Sequence, residues 1–321
     1  MKASAQAYAI QGLIKYHGLK DPKLRIPYHD SISVCMKSLP TLTTVETLTN
    51  RSRDKIILNG QVPTKREIER IQAVINPLRR LAGRESRLHI ESRNKGIIGK
   101  GLGFSASGFA ALGLAASKAL ELEIGSQKLS EVVRLGAGSA ARSLVGGFSI
   151  WYANRRGRSF AEQLAPASSI ELKTIIVPIP SKVKTETVHA DVMTSPFYQA
   201  RLSYLKGVLA RMKRAITKRD TKEVCRLAEL DTLSLHAITM TGNAETILFS
   251  PLSIQVIDEV RCLREEEDVP VWYSLDTGPS VFVNTTRKAA LKVERRIRSL
   301  SANTLVSDPG GPAELIPQHL F

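Results

Sequence analysis

The stretch NKGIIGKGLGFSASGFAALGLAASKAL, residues 94–120, decides the fold because it joins a glycine-rich run to a helix of small residues. Glycines permit tight backbone turns, and a helix start exposes unpaired N–H groups that attract an anion. Ser105 and Ser107 lie where the predicted helix begins, whereas Lys100 precedes them with a spacing that differs from the G-x-x-x-x-G-K-[ST] loop. On pattern alone, a phosphate site and an ordinary loop explain this stretch equally well.

Strands and helices surround this stretch without a regular strand–helix alternation. DSISVCM, DKIILNG and SRLHIESR have strand character, and TKREIERIQAVINPLRRLAG has the apolar spacing of a helix that ends near Gly83. After a strand in IELKTIIVPIP, the pattern predicts long helices at 195–217 and 220–238, then a helix, a strand pair and a final helix. The order predicts an α+β fold with one lobe over 1–180 and a second over 181–321.

The composition limits the possible partners. The 321 residues include 46 Lys and Arg against 30 Asp and Glu, which gives a net charge of +16. An anionic partner or solvated basic helix faces could explain this excess. Nucleic acid is not an expected partner, because aromatic residues make up only 5% and do not interleave with a basic region.

The cysteines and the apolar runs indicate where the protein resides. Cys35, Cys225 and Cys262 are far apart and lack the paired spacing of a zinc site, which favours a reduced, cytoplasmic protein. No apolar run is long enough to cross a bilayer, so we expect neither export nor a membrane partner.

Three further stretches contain residues suited to catalysis or ligand binding. Lys15 ends an apolar segment beside Tyr16, so its ammonium could lie in a cleft or at the surface. Ser139 and Arg142 are three residues apart and share a helix face, where Arg could bind a carboxylate or phosphate, or the small residues could form a helix contact. Asp276 follows an apolar strand and precedes Thr-Gly-Pro, which suits either a catalytic carboxylate or a turn cap.

Together and in this order, these motifs resemble those of the mevalonate diphosphate decarboxylase family of the GHMP kinase superfamily. LIKYHGLKD is similar to that family's KYWGK-D segment, GLGFSASGFAAL to its GLASSAAGFAAL loop, GSAARSLVGGF to its GSACRSLYGGF segment, and LDTGPSVFV to its DAGPN turn. The likeness runs over nearly the whole chain. It implies a ribosomal-protein-S5-like α+β lobe joined to a ferredoxin-like lobe, with the substrate between them, and a possible homodimer.

The resemblance also implies roles for individual residues. Enzymes of the family phosphorylate the 3-hydroxyl of a phosphorylated mevalonate with ATP and magnesium, then expel that phosphate with carbon dioxide. By position, Asp276 matches the catalytic aspartate, Lys15 the lysine near the reacting centre, and Ser139 and Arg142 the substrate-binding pair. We expect Arg142 to hold the departing carboxylate, Lys15 to steady Asp276 or the leaving phosphate, and Tyr16 to contact the substrate. Asp276 is expected to stay ionised among these positive neighbours.

Several departures from the family pattern concern the 5-diphosphate. Leu19 stands where the family has a diphosphate-binding lysine, and KTET at 184–187 replaces a second diphosphate-binding segment, S-R-x-G. His17, Ile10 and Ala137 replace a tryptophan, an asparagine and a serine. These changes suit a single 5-phosphate better than a diphosphate, and Lys184 is expected to contact the substrate.

The glycine-rich loop departs from the family pattern as well. ATP-using relatives have PTAAGLASSA where this chain has IIGKGLGFSA, so that Phe104 replaces the first of two adjacent serines and Lys100 replaces an alanine. Phenylalanine removes a hydroxyl and adds bulk, which disfavours a triphosphate, while the lysine favours a smaller anion. We therefore expect Lys100, Ser105 and Ser107 to hold the substrate's own 3-phosphate.

The sequence therefore predicts a carboxy-lyase of isoprenoid biosynthesis that converts mevalonate 3,5-bisphosphate to isopentenyl phosphate, phosphate and carbon dioxide, with no cofactor and no metal. Asp276 would stabilise positive character at the tertiary carbon. The alternative is an ATP- and Mg²⁺-dependent decarboxylase of the mono- or diphosphate, with the nucleotide at Gly101, Gly103 and Ser105. A mevalonate 3-kinase or an inactive anion-binding relative agrees less well with the joint presence of Lys15, Arg142 and Asp276.

Four further residues lie in or near the matched motifs. His17, His29 and His236 are expected to be hydrogen-bonding or core histidines rather than acid–base catalysts. Arg70 matches a region near the nucleotide site of relatives, and without ATP it is expected to be a helix-surface residue.

Overall fold

The computed structural model describes residues 1–49, 52–95, 102–181, 183, 185–300 and 302–321. Lys100, Gly101 and Lys184 lie outside the described residues, so their expected ligand contacts stay predictions.

The first lobe is built on a sheet whose longest strands are β1 (Lys2–Ile14) and β4 (Ser31–Leu48). The sheet is completed by β5 (Lys55–Leu58), β6 (Arg87–Asn94), β7 (Phe148–Trp151), β8 (Ala161–Ala165) and β13 (Glu314–Ile316). The order is β13-β1-β4-β6-β5, with β7 paired to β4 and β8. Between β1 and β4, the chain forms a small hairpin of β2 (Leu19–Asp21) and β3 (Ile26–Pro27).

Helices cover one face of this sheet. They are α1 (Lys65–Ala82), α2 (Phe104–Ala119), α3 (Ser126–Val133) and α4 (Ala140–Val145). A capping box of Thr64 and Glu67 begins α1, and Gly83 ends it in the left-handed conformation, as the sequence predicts. The buried alanines of α2 share a core cluster with α1, because small side chains let α2 lie close to its neighbours.

The second lobe contains β9 (Lys173–Val177), α5 (Thr185–Asp191), α6 (Tyr198–Thr217), α7 (Thr221–Met240), α8 (Pro251–Glu265), β10 (Val271–Leu275), β11 (Val281–Thr285), α9 (Ala290–Ser299) and β12 (Leu305–Ser307). Its sheet has the order β10-β11-β9-β12 and is antiparallel throughout. This order and the intervening helices are those of a ferredoxin-like lobe. The structure confirms the predicted α+β class. It also confirms the helices predicted at 195–217 and 220–238 and the strand pair formed by β10 and β11.

Strand pairing crosses the expected lobe limit at residue 180. β9 precedes that limit but pairs with β11 and β12 of the second sheet, whereas β13 returns to pair with β1 of the first. The C-terminal tail packs on the first sheet. The ring of Phe321 stacks on His89 of β6 with 3.7 Å between centroids, and Leu320 N–H donates to Thr44 Oγ1 of β4. Within the described part of the chain, none of the helices is both long and apolar enough to cross a membrane.

Candidate active site

The carboxylate of Asp276 lies where the two lobes meet. Asp276 follows β10, and the N–H of Gly12 in β1 points at its Oδ1 and Oδ2 at 3.1 and 3.2 Å. A Cβ at position 12 would lie 2.7 Å from Lys15 Cγ and 2.8 Å from Asp276 Oδ1. Glycine at this position therefore lets the first lobe approach the carboxylate of the second.

Burial has the largest influence on the ionisation of Asp276. It raises the pKa of the carboxyl, while the charge of Lys15, the Gly12 N–H and the charge of Arg142 lower it. The positive neighbours expected from the sequence are present. Removal from water opposes these neighbours and leaves the pKa of Asp276 raised, so the expectation that Asp276 stays ionised stays a prediction.

The side chain of Lys15 is buried directly after β1, so the cleft rather than the surface interpretation is confirmed. Asp231 of α7 accepts the backbone N–H of Lys15 at 2.8 Å, and Lys15 Nζ lies 3.8 Å from Asp231 Oδ2. Burial lowers the pKa of Lys15, whereas Asp231 and Asp276 raise it. Lys15 is thus paired with Asp231, and the charge of Asp276 also acts on it.

A second buried cation completes this network. Arg201 of α6 donates to Asp231 Oδ1 and to the carbonyl of Lys15, both at 3.0 Å. The side chain of Asp231 has no exposed surface, and that of Arg201 is 2% exposed. Because these bonds fix both the main chain and the side chain at Lys15, Arg201 and Asp231 act as positioning residues.

Arg142 of α4 is a third buried cation of the cleft. Its Nε donates to Ser33 Oγ at 3.0 Å, and its NH1 donates to the hydroxyl of Ser31. The guanidinium lies over Tyr16 and Trp151, 5.4 and 5.9 Å from their ring centroids. Burial lowers the pKa of Arg142 to about 10, so the group is positively charged at neutral pH.

Tyr16 connects these groups to Ser139. Its ring packs edge-on against Trp151 and stacks on His189 of α5, with 4.8 Å between centroids in both pairs. Burial raises the pKa of the phenol, whereas Arg142 and a backbone hydrogen bond from Ser139 lower it. The structure therefore brings together Tyr16, Ser139 and Arg142, the three residues that the resemblance implies for substrate binding.

The start of α2 separates two serines that were expected to act together. Ser105 is exposed next to Gly103, which adopts a φ of +71°. Ser107 is fully buried, and its hydroxyl lies 2.7 Å from Thr41 Oγ1 and donates to the carbonyl of Phe104 at 3.2 Å. These internal bonds are at odds with the expected phosphate contact of Ser107, while that of Ser105 stays a prediction.

The histidines serve the fold, as predicted. His17 Nε2 bonds to Thr277 Oγ1 at 2.8 Å, which ties the segment after β1 to the Asp276 turn. His29 bonds to a backbone carbonyl, and His236 is 1% exposed. Burial lowers the pKa of His17 well below its ordinary value and the pKa values of His29 and His236 to about 4.

Arg70 is not the plain surface residue that was expected in the absence of ATP. Its Nε donates to the carbonyl of Gly136 at 2.8 Å, and its guanidinium lies 4.9 Å from the centroid of the Phe109 ring. Burial, together with the charges of Arg25 and Arg66, lowers its pKa to about 10. Packing against the loop before α4 draws this long side chain inward from α1.

The sequence patterns did not predict roles for Arg201, Asp231 or Arg25. Asp231 and Arg201 occupy apolar-facing positions of predicted helices, and a charged residue at such a position is the signal that could have found them. Arg25 lies in a turn with a φ of 51°, and the sequence offers no comparable signal for it.

The two lobes, the small-residue helix after a glycine-rich run, and a carboxylate supplied by the opposite lobe define the class as the GHMP kinase superfamily. Residues 7–161 match the diphosphomevalonate decarboxylase-like N-terminal domain, and residues 181–307 match the mevalonate 5-diphosphate decarboxylase C-terminal domain.

Individual relatives agree with these matches. The chain is 40% identical over 319 residues to phosphomevalonate decarboxylase of Haloferax volcanii, covering 99% of this chain and 98% of that relative. It is 31% identical over 299 residues to human diphosphomevalonate decarboxylase, covering 85% and 74% of the two chains. The crystal structure of mevalonate diphosphate decarboxylase from Staphylococcus aureus matches with a TM-score of 0.92 and 30% identity over 98% of both chains. The chain therefore belongs to the diphosphomevalonate decarboxylase family, and it is a carboxy-lyase that acts on a phosphorylated mevalonate.

Proposed function

We propose that this protein converts mevalonate 3,5-bisphosphate to isopentenyl phosphate, phosphate and carbon dioxide without ATP. The observation that carries the proposal is Phe104, the first residue of α2, which packs against a buried cluster that contains residues of both lobes. In the family that this chain resembles, a serine of the nucleotide loop occupies this position. The phenylalanine ring therefore removes a hydroxyl that could donate to a phosphate, and it takes up more space. The residues at the helix start therefore fit a triphosphate poorly.

The remaining half of the family reaction requires the charges that the cleft contains. As the bond from C3 to the phosphate oxygen breaks, its electrons leave with the phosphate and positive character develops at C3. The C1–C2 bond then breaks, carbon dioxide leaves, and the electron pair forms the C2–C3 double bond. Asp276 faces C3 as a fixed anion, Lys15 balances the charge of the departing phosphate, and Arg142 holds the carboxylate until it leaves.

Preorganisation makes these charges effective. Gly12 fixes Asp276, Asp231 and Arg201 fix Lys15, and two serine hydroxyls fix Arg142. Charges that are already in place in a cleft of low dielectric stabilise a transition state without reorganisation during the reaction.

The experiment is carbon dioxide release from mevalonate 3,5-bisphosphate after apyrase has removed every nucleotide. 5-Phosphomevalonate and 5-diphosphomevalonate, each with ATP and magnesium, are assayed in parallel. Turnover of the bisphosphate without nucleotide is the expected result. Strict dependence on ATP would overturn the proposal.

The second candidate is an ATP-dependent decarboxylase of 5-phosphomevalonate. It is favoured by the 40% identity to the Haloferax volcanii phosphomevalonate decarboxylase. A mevalonate diphosphate decarboxylase from Enterococcus faecalis, 29% identical with a TM-score of 0.90 over 98% of this chain and 99% of that one, binds ATP by a mechanism that mevalonate diphosphate mediates. In the ATP-dependent case Asp276 would also act as a general base toward the 3-hydroxyl. Release of carbon dioxide from 5-phosphomevalonate only when ATP is added would support this candidate.

A further inference from the structure

An arginine cluster lies beside Tyr16, away from Asp276. It consists of Arg25 in the β2–β3 turn, Arg66 and Arg70 on α1, and one carboxylate, Glu186 on α5. Arg25 NH2 lies 3.1 Å from Glu186 Oε1, and Arg66 contacts Glu186 Oε2. Two guanidinium groups therefore share one carboxylate, and Arg70 makes no ion pair with it among the described residues.

Two of these arginines are fixed by consecutive carbonyl groups. Arg25 Nε donates to the carbonyl of Leu135 at 2.9 Å, and Arg70 Nε donates to that of Gly136 at 2.8 Å. Both carbonyls belong to the loop that leads to Ser139. Among the described residues, the terminal nitrogens of Arg70 have no hydrogen-bond partner. The cluster thus offers donors that are held in place but not consumed by the fold.

The net positive charge of the arginine cluster favours binding of an anion. Arg25, Arg66 and Arg70 face Glu186 and also Glu67, whose charge acts on Arg70, so three positive and two negative groups leave an excess of +1. Like charges at this distance repel one another, and partial burial reduces the screening by water. A phosphate monoester carries up to two negative charges near neutral pH, and Arg binds its oxygens through a planar fork.

The cluster lies where the far end of the substrate would reach. The guanidinium of Arg142 lies over Tyr16, 5.4 Å from the ring centroid, and the charges of Arg25 and Arg70 also act on the Tyr16 phenol. α5, which carries Glu186, also presents His189, whose ring stacks on both Tyr16 and His17. A substrate whose carboxylate meets Arg142 would therefore run along Tyr16 toward the arginine cluster.

Building on the proposed function, we propose that Arg25 and Arg70 bind the 5-phosphate of the substrate, and that Glu186 occupies Arg25 and Arg66 until this phosphate displaces it. The site selects a single 5-phosphate, because the lysine that the family uses for the second phosphate is replaced by Leu19 in this chain. Leu19 supplies no further cation.

The test is calorimetric binding of 5-phosphomevalonate and of mevalonate, both without nucleotide. Arg25→Gln and Arg70→Gln are each expected to weaken binding of 5-phosphomevalonate about 30- to 100-fold and that of mevalonate less than about threefold. Arg84→Gln is the matched control, since Arg84 forms an exposed pair with Glu121. Equal losses for both ligands, or no loss, would overturn the proposal.

A second variant distinguishes loss of a ligand contact from a folding defect, because it is expected to strengthen binding. Glu186→Gln removes the competing carboxylate, and we expect it to bind 5-phosphomevalonate about threefold more tightly. Unchanged or weaker binding would contradict the role of Glu186. Thermal unfolding of each variant identifies those that fold like the parent protein.

This binding test does not depend on the chemistry. If decarboxylation proves to require ATP, the proposed function fails while the 5-phosphate site can still be confirmed. If Arg70→Gln instead raises the KM for ATP and leaves binding of 5-phosphomevalonate unchanged, Arg70 belongs to a nucleotide site and the present proposal fails.

Discussion

The charges around Asp276 and those of the arginine cluster are arranged in opposite ways. At the reaction centre, Asp231 is enclosed between Lys15 and Arg201, and all three side chains are at most 3% exposed. In the arginine cluster, Arg25 and Arg66 share Glu186, and Arg70 has no carboxylate partner among the described residues. Buried, paired charges fix the positions of atoms, whereas an uncompensated group of cations attracts an anion.

This contrast separates two kinds of substitution. Changes at the reaction centre should alter kcat or stability, because they disturb geometry. Changes in the arginine cluster should alter affinity, because they remove donors for a ligand. Four further substitutions test how far this separation holds.

The largest effect is expected for Asp276→Asn. The amide keeps nearly the same shape but removes the anion that faces the tertiary carbon, so kcat should fall about 10³-fold, or about 4 kcal/mol, with little change in KM. Single-turnover release of carbon dioxide measures the effect. Asp308→Asn, at a half-buried pair with Lys173 in the second lobe, is the control. A loss below about tenfold would show that the charge of Asp276 does not act on the reacting carbon.

Asp231→Asn should lower the free energy of unfolding by about 3 kcal/mol, because it leaves Lys15 and Arg201 buried without their counter-charge. Urea denaturation gives this difference. Glu223→Gln, which breaks exposed pairs with Arg211 and Arg226, should cost less than about 1 kcal/mol. If both variants lost a comparable free energy of unfolding, the distinction between positioning charges and surface charges would not hold.

Gly12→Ala should lower kcat about 30-fold, or about 2 kcal/mol. The new Cβ would press on Lys15 and Asp276 and move the carboxylate from its place. Gly207→Ala is the matched control, since a Cβ at that helical position meets nothing within 4 Å. Should both variants retain full activity, the close approach at Gly12 would have no catalytic importance.

The smallest effect concerns His236 and acid. Burial lowers its pKa to about 4, whereas a histidine in the unfolded chain titrates near 6.5. Between these values the unfolded chain binds a proton that the folded chain does not. The free energy of unfolding therefore falls as the pH drops below about 6.5, by about 1.4 kcal/mol per pH unit. His236→Phe should reduce the slope measured by urea denaturation at several pH values; an identical slope would exclude this contribution.

Local signals in the sequence predict much of the fold and part of the site. The capping box and Gly83 predict the limits of α1, and the apolar spacing predicts α6 and α7. The turn between two apolar strands places Asp276 correctly at the end of β10. Each of these features is determined by residues that are close together in the chain.

Features that depend on distant partners could not be predicted in this way. β1 is buried on both faces along much of its length, so it lacks the alternation typical of a half-buried strand. Arg201 and Asp231 meet Lys15 only after α6 and α7 pack against the first lobe. The arginine cluster likewise joins residues of a turn and two helices, and no spacing in the sequence relates Arg25 to Glu186.

The return of β13 to the first sheet affects how the protein is made. β1, which carries Gly12 and leads into Lys15, pairs with β4 on one side and with β13 on the other. During translation, the ribosome releases β13 only after the entire second lobe has been synthesised. Until then β1 has an open edge, and such an edge can pair with other chains. Chaperone protection of the emerging first lobe would therefore matter until the last strand arrives.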